Sequence, residues 1–138
     1  MIQFTEEMRA AVNNALTERV PIHVAYVDPD GMPSISLRGT LQVWADDQLA
    51  LWARNPEGGM PRAIATNPKI AIFYRNPEKR VSWQFYGRAH VTEDAAARNR
   101  IFDASPEVER NQDPQRAGKA IIVEVDRVVS RGQTLMER

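Results

Sequence analysis

Residues 49–75 read LALWARNPEGGMPRAIATNPKIAIFYR. The apolar run Leu49–Ala53 has the composition of a strand and falls into a Pro/Gly loop. Pro61 suits the first turn of a short helix, where a missing N–H costs nothing. Asn67-Pro68 closes that helix, and a second apolar run begins at Lys69. This strand, glycine loop, short helix and strand leave free backbone N–H groups at Gly58–Arg62, with Arg54 and Arg62 on either side. Such a helix start attracts an anion, most usefully a phosphate.

The surrounding composition bounds the rest. With 138 residues, 43% of them apolar and 26% charged, the chain is long enough for one core and too ordered in composition for a disordered polypeptide. One domain over residues 1–138 is expected, with 131–138 as a C-terminal tail, free or docked on a partner chain. The 18 basic and 18 acidic residues cancel, so no global field gathers nucleic acid or an acidic membrane. Cysteine is absent and only His23 and His90 are present, which excludes disulfides and thiolate chemistry and argues against a metal site. No secretory leader or membrane-spanning run is visible, and a cytoplasmic location is the default.

Outward from the opening stretch, turn signals and alternation predict a mainly β domain with a few helices. Thr5 caps a first helix whose stripe is Met8, Val12, Ala15 and Leu16. Ile22–Val27 and the stretch from Ser34 to Val43 flank the turn Asp28-Pro29-Asp30-Gly31. In Ser34–Val43, Ile35, Leu37, Leu41 and Val43 share one face; Ser34, Ser36, Arg38, Thr40 and Gln42 share the other. Val81–Val91 alternates longest, with Ser82, Gln84, Tyr86, Arg88 and His90 on its polar side. Asp94 caps a helix running to about Phe102, Ser105–Gly118 is a short helical piece plus loop, and Ala120–Val129 is the last strand. Short turns between successive strands suggest an antiparallel barrel.

Two polar faces and one loop are candidate sites. Arg38 beside Ser36 and Thr40, with no carboxylate on that face, suits an anionic or acceptor-rich ligand. The Gly58–Arg62 loop is the anion site described above, and Ser82 and Gln84 offer donors to ligand oxygens. The sequence contains no Gly-x-Gly-x-x-Gly, P-loop, Gly-x-Ser-x-Gly or His-Glu-x-x-His motif. No nucleophile–base pair is visible and no catalytic residue is assigned, so any chemistry belongs to a bound cofactor.

The order of these pieces resembles the pyridoxamine 5′-phosphate oxidase-like family of FMN-binding split barrels. The residues that carry the likeness are Asp30–Thr40, Arg62–Ile72, and Gly87-Arg88-Ala89 followed by Ala120–Val129. The resemblance implies a six-stranded antiparallel split β-barrel with peripheral helices. It further implies a homodimer that holds FMN in grooves between subunits. It assigns the flavin and ribityl contacts to Ser36, Arg38 and Thr40, the phosphate to Arg54 and Arg62 on the loop that includes the cofactor-binding position Met60, and further contacts to Ser82 and Gln84. Family members often carry a cation where this chain has Met60, and Arg62 stands one helical step beyond. The implied activity is hydride transfer through the flavin to a small-molecule substrate. The alternatives are a reductase using the deazaflavin F420, or a non-catalytic module that holds flavin or haem. Pyridoxamine phosphate oxidation itself is the least expected, since the chain ends at Arg138.

Overall fold

The structure, a computed structural model, describes residues 1–138. In chain order it contains α1 (Glu6–Asn13), β1 (Ile22–Val27), β2 (Pro33–Leu37), β3 (Gln42–Ala45), β4 (Gln48–Ala53) and α2 (Gly59–Thr66). These are followed by β5 (Lys69–Asn76), β6 (Val81–Thr92), α3 (Ala95–Ala104), α4 (Glu107–Arg110), β7 (Lys119–Ser130) and β8 (Gln133–Glu137). Every pairing is antiparallel, in the order β2-β1-β5-β6-β7-β4-β3, with β8 on β7. The two ends of that order, β2 and β3, do not pair, so the curled sheet is split between them.

The interior is filled from both sides of the chain's pattern. Val24, Ile72, Phe85, Leu49, Leu51, Ile121, Val123 and Val125 belong to one cluster inside the curl. Met8 and Val12 of α1 enter it from one element, Met60 and Ile64 of α2 from another. The α1 cap forms as expected, with Met8 N donating to Thr5 Oγ1 at 3.1 Å. Strands β4 and β7 are also covered outside: Ala50, Trp52, Ala120 and Ile122 pack under Ile101 and Phe102 of α3. Burial on both faces explains why Leu49–Ala53 and Ala120–Val123 read as continuous apolar runs rather than alternations. No helix is long and apolar enough to cross a membrane.

Three expectations need correction. The stretch Ser34–Val43 is not one strand: it breaks at residues 38–41, which carry the chain from β2 to β3 across the split. The tail is not free. Arg131 and Gly132, both at positive φ (52° and 82°), form a two-residue turn that folds residues 133–137 back as β8. The sheet therefore has eight strands, not six. The third correction concerns the face expected to hold Ile35, Leu37, Leu41 and Val43 together: Leu41 and Val43 join the core, and Ile35 and Leu37 do not. Ser36 pairs with Val24 and turns toward the barrel interior, while Ile35 and Leu37, 68% and 60% exposed, point outward. Their outer face continues through Ala25 and His23 on β1 and Ala71 and Phe73 on β5.

Candidate cofactor site

At the open end of the barrel, β1, β2, β4 and α2 bring cations and backbone donors together. Arg38 follows β2 and is anchored there by its own N–H, which donates to Ile22 O at 3.0 Å. Its side chain folds back along the strand, Nε donating to Ser36 Oγ at 3.2 Å, with Tyr26 of β1 nearby. The Tyr26 hydroxyl in turn lies against the start of α2, where a Cβ on Gly59 would sit 2.9 Å from it. Only glycine permits that approach without displacing the ring.

Electrostatics mark the same place. Burial pulls the half-buried Arg38 guanidinium below the usual arginine range; Tyr26 opposes this, and the charge of nearby Arg54 adds to it. None of the ion pairs in the chain includes Arg38, Arg54 or Arg62. Arg54 Nη1 donates to Gln112 Oε1, a neutral acceptor. The nearest buried carboxylate, Asp113, is already committed to Trp52 Nε1, Ala117 N and Gly118 N, each at 2.9 Å. Arg38 and Arg54, neither in an ion pair and near enough for one charge to act on the other, are the cations that could receive an anion here, with the free N–H groups of the α2 start.

The candidate residues divide accordingly. Ser36 bonds Arg38, the charge of Arg54 reaches Arg38, and Arg62 stands exposed on α2. Thr40 does not join them. It is buried, and its hydroxyl donates to Trp52 O and accepts from Trp52 N, both at 3.0 Å, replacing ladder bonds where the chain leaves β2. Met60 is likewise no surface contact: only 1% exposed, it lies with Ala63 and Ile64 on the apolar stripe of α2. Ser82 and Gln84 lie elsewhere, on the outer face opposite Arg75 and Phe73. Tyr26 and the Gly59 backbone are contacts that sequence reasoning overlooked. The available signal was register, since Tyr26 faces Ser34 across the β1–β2 pair.

Residues 4–128 match the family described as pyridoxamine 5′-phosphate oxidase. The chain belongs to that family. No curated protein matches it. Among solved structures, HupZ of Group A Streptococcus is similar at 23% identity and TM-score 0.70, over 95% of this chain and 96% of that one. An FMN-binding protein from Syntrophomonas wolfei superposes with TM-score 0.69 at 9% identity, over 91% of this chain and 86% of that one. A structure named F420 reductase gives TM-score 0.67 at 19% identity, over 91% and 98%. At these identities the structures establish a shared fold. The family's split barrel is therefore the architecture of this chain, and the eight-stranded sheet is its form here.

Proposed function

We propose that this family member binds FMN between two copies of the chain and passes hydride through it to a small molecule. The observation that carries the reading is Arg38, outside every ion pair and within reach of the charge of Arg54, with Tyr26 leading from it to the first turn of α2. A phosphate there gains two cations and the N–H groups of the α2 start, and it relieves the repulsion between the arginines. Ser36 and Tyr26 supply hydroxyls for the sugar-alcohol chain, and Arg62 adds a second layer of positive charge. Bound FMN supplies the hydride chemistry; the chain supplies position and electrostatics.

The outer sheet face supports the dimer. Ile35, Leu37, Ala25 and Phe73 form an apolar surface on an edge of the sheet, and a second copy would cover it. Ser82 and Gln84 share that face, so within one copy they cannot reach a ligand held inside by Arg38. Across a dimer, Ser82 and Gln84 of the partner subunit complete the site.

The test is the visible spectrum of the purified protein, followed by titration of cofactor-stripped protein with FMN, riboflavin and F420. FMN is expected to bind, and Arg38→Ala to weaken it by about tenfold while changing riboflavin much less, because only FMN carries the phosphate. Colourless protein that binds neither flavin overturns the proposal. Preferential binding of F420 favours the second reading, which the likeness to the F420 reductase fold supports. Retention of flavin without turnover by any reductant favours a non-catalytic binding module.

A further inference from the structure

A cavity of about 550 Å³ lies beside the split, between the end of α1, the 37–43 crossing and the α3–α4 corner. That size suits a small organic molecule. About half of the residues around it are apolar. Of these, Val12 and Leu41 are almost fully buried, whereas Leu16 stands exposed with Arg100 at the mouth. A molecule that suits both ends has an apolar body and a polar head.

The uncommitted polar groups are mostly donors. Gln42 spends its amide nitrogen on Thr40 O and Ile101 O, at 3.3 and 3.1 Å. Asn13 accepts from Val43 N through Oδ1 at 2.8 Å, and its own side-chain N–H groups bond nothing in the chain. Arg100 lies over the Trp44 ring, 4.0 Å from its centroid, and donates only to Trp44 O, at 3.4 Å. Stacking holds a guanidinium by its face and leaves its N–H edge open to a planar partner such as a carboxylate. Arg38 also lines the cavity, and neither arginine enters an ion pair. The one carboxylate on the wall, Glu109, is unpaired as well; its Oε1 presses against Gly39, in space that a side chain there would need. The wall thus sets two positive charges against one negative charge.

We infer that the cavity binds a small carboxylic acid with an apolar body, Arg100 receiving the carboxylate against the opposing charge of Glu109. Arg38 is left to the proposed cofactor phosphate, so the acid neither rests on that reading nor competes with it for a cation. This is a second anion site, apart from the start of α2. Its cation sits at the mouth, and the buried apolar residues take the rest of the molecule.

Indole-3-propionate and indole-3-propionamide test this, since they share a shape and differ in charge. Calorimetry on the full chain should show the acid binding about fivefold more tightly, an advantage that shrinks as salt is raised. Arg100→Gln should bring the two within about twofold and leave the amide little changed. Glu109→Gln should act the other way and tighten the acid about twofold. Leu16→Trp, at an exposed position on the wall, should weaken both probes and leave the circular dichroism spectrum unchanged. Equal binding, no binding of either probe, a preference that survives Arg100→Gln, no gain from Glu109→Gln, or no effect of Leu16→Trp overturns the inference. Repeating the titration with FMN separates the two proposals. A preference for the acid that persists in FMN-saturated protein supports Arg100 as its receptor, and one that FMN abolishes overturns it. A preference for the acid in protein that binds no FMN removes the cofactor reading and leaves the acid site standing.

Discussion

Strands β7 and β2 both alternate apolar and small or polar residues for part of their length, and they do opposite work. β7 has neighbours on both edges, with Ile121, Val123 and Val125 inside the barrel and Ala120 and Ile122 under α3. β2 has a neighbour on one edge only; its serines turn inward at the open end and its Ile35 and Leu37 turn out. Alternation shows which side chains share a face. Position in the sheet decides what that face meets, whether core, ligand or a second chain.

The largest effect is expected in β7. Ile121 is fully buried, and Ile121→Ala should cost about 3–4 kcal/mol of folding stability by urea titration, through lost burial and the cavity left behind. A loss below about 1 kcal/mol would break the contrast, because it would put β7 on a par with an exposed strand.

Asp113→Asn comes next, at about 1–3 kcal/mol near neutral pH, since Trp52 Nε1 and two backbone N–H groups lose a charged acceptor. Burial alone would raise the Asp113 carboxyl; the bonds from Trp52, Ala117 and Gly118 and the charge of Arg54 outweigh it and hold the group below its ordinary 3.8. A depressed folded value means that the unfolded chain binds the extra proton first. The contribution is thus complete above about pH 4 and fades as pH falls through the folded value. The gap between wild type and variant should close in that acid range, and a gap constant down to pH 2 would contradict the assignment.

At Arg38, folding and binding should separate. Arg38→Ala removes a desolvated guanidinium next to another cation, so stability should stay level or rise by up to about 1 kcal/mol even as FMN affinity falls. A variant that loses both together would make Arg38 a structural residue like those of β7. The smallest change in folding stability is expected at Leu37. Leu37→Glu should shift the unfolding midpoint by no more than about 0.5 kcal/mol, yet elute as a monomer where the parent elutes as a dimer. Identical elution of both would remove the outer face of β2 as the dimer contact.

The parts of the fold legible in the sequence were those governed by local chemistry. Thr5 and Asp94 cap α1 and α3 through the bonds their side chains were expected to accept. Asn67-Pro68 ends α2, and Asp28–Gly31 turns β1 into β2. What escaped depended on distant partners. The split at residues 38–41 keeps the alternation of a strand, and only Trp52 on β4 shows that Thr40 has left the ladder. Met60 was read as the position where family members often carry a cation, and its burial follows from the side of α2 that meets the barrel. The tail was misjudged because Arg131-Gly132 was not taken as a hairpin turn, although Gly at the second position of a two-residue loop is a local signal. In the candidate site, the cations were legible as residues. The closeness of Arg38 to Arg54, and the part played by Tyr26, required the register of β1 with β2.

The pairing of β6 with β7 slips by one residue between Tyr86 and Gly87, so that Tyr86 faces Arg127 and Gly87 faces Val125, leaving Asp126 without an opposite number. Inside positions therefore run Ile121, Val123, Val125 and then Val128. The odd step frees Asp126 to bind Arg88 and Arg138. It also gives the gene a reading tolerance in an improbable place. Removing one codon from a central strand ordinarily turns every later side chain inside out. Removing the codon for Asp126 would instead restore strict two-residue phase from Ile121 to the strand's end, at the loss of the charges that Asp126 gathers and of the bond its carbonyl accepts from Arg138 N.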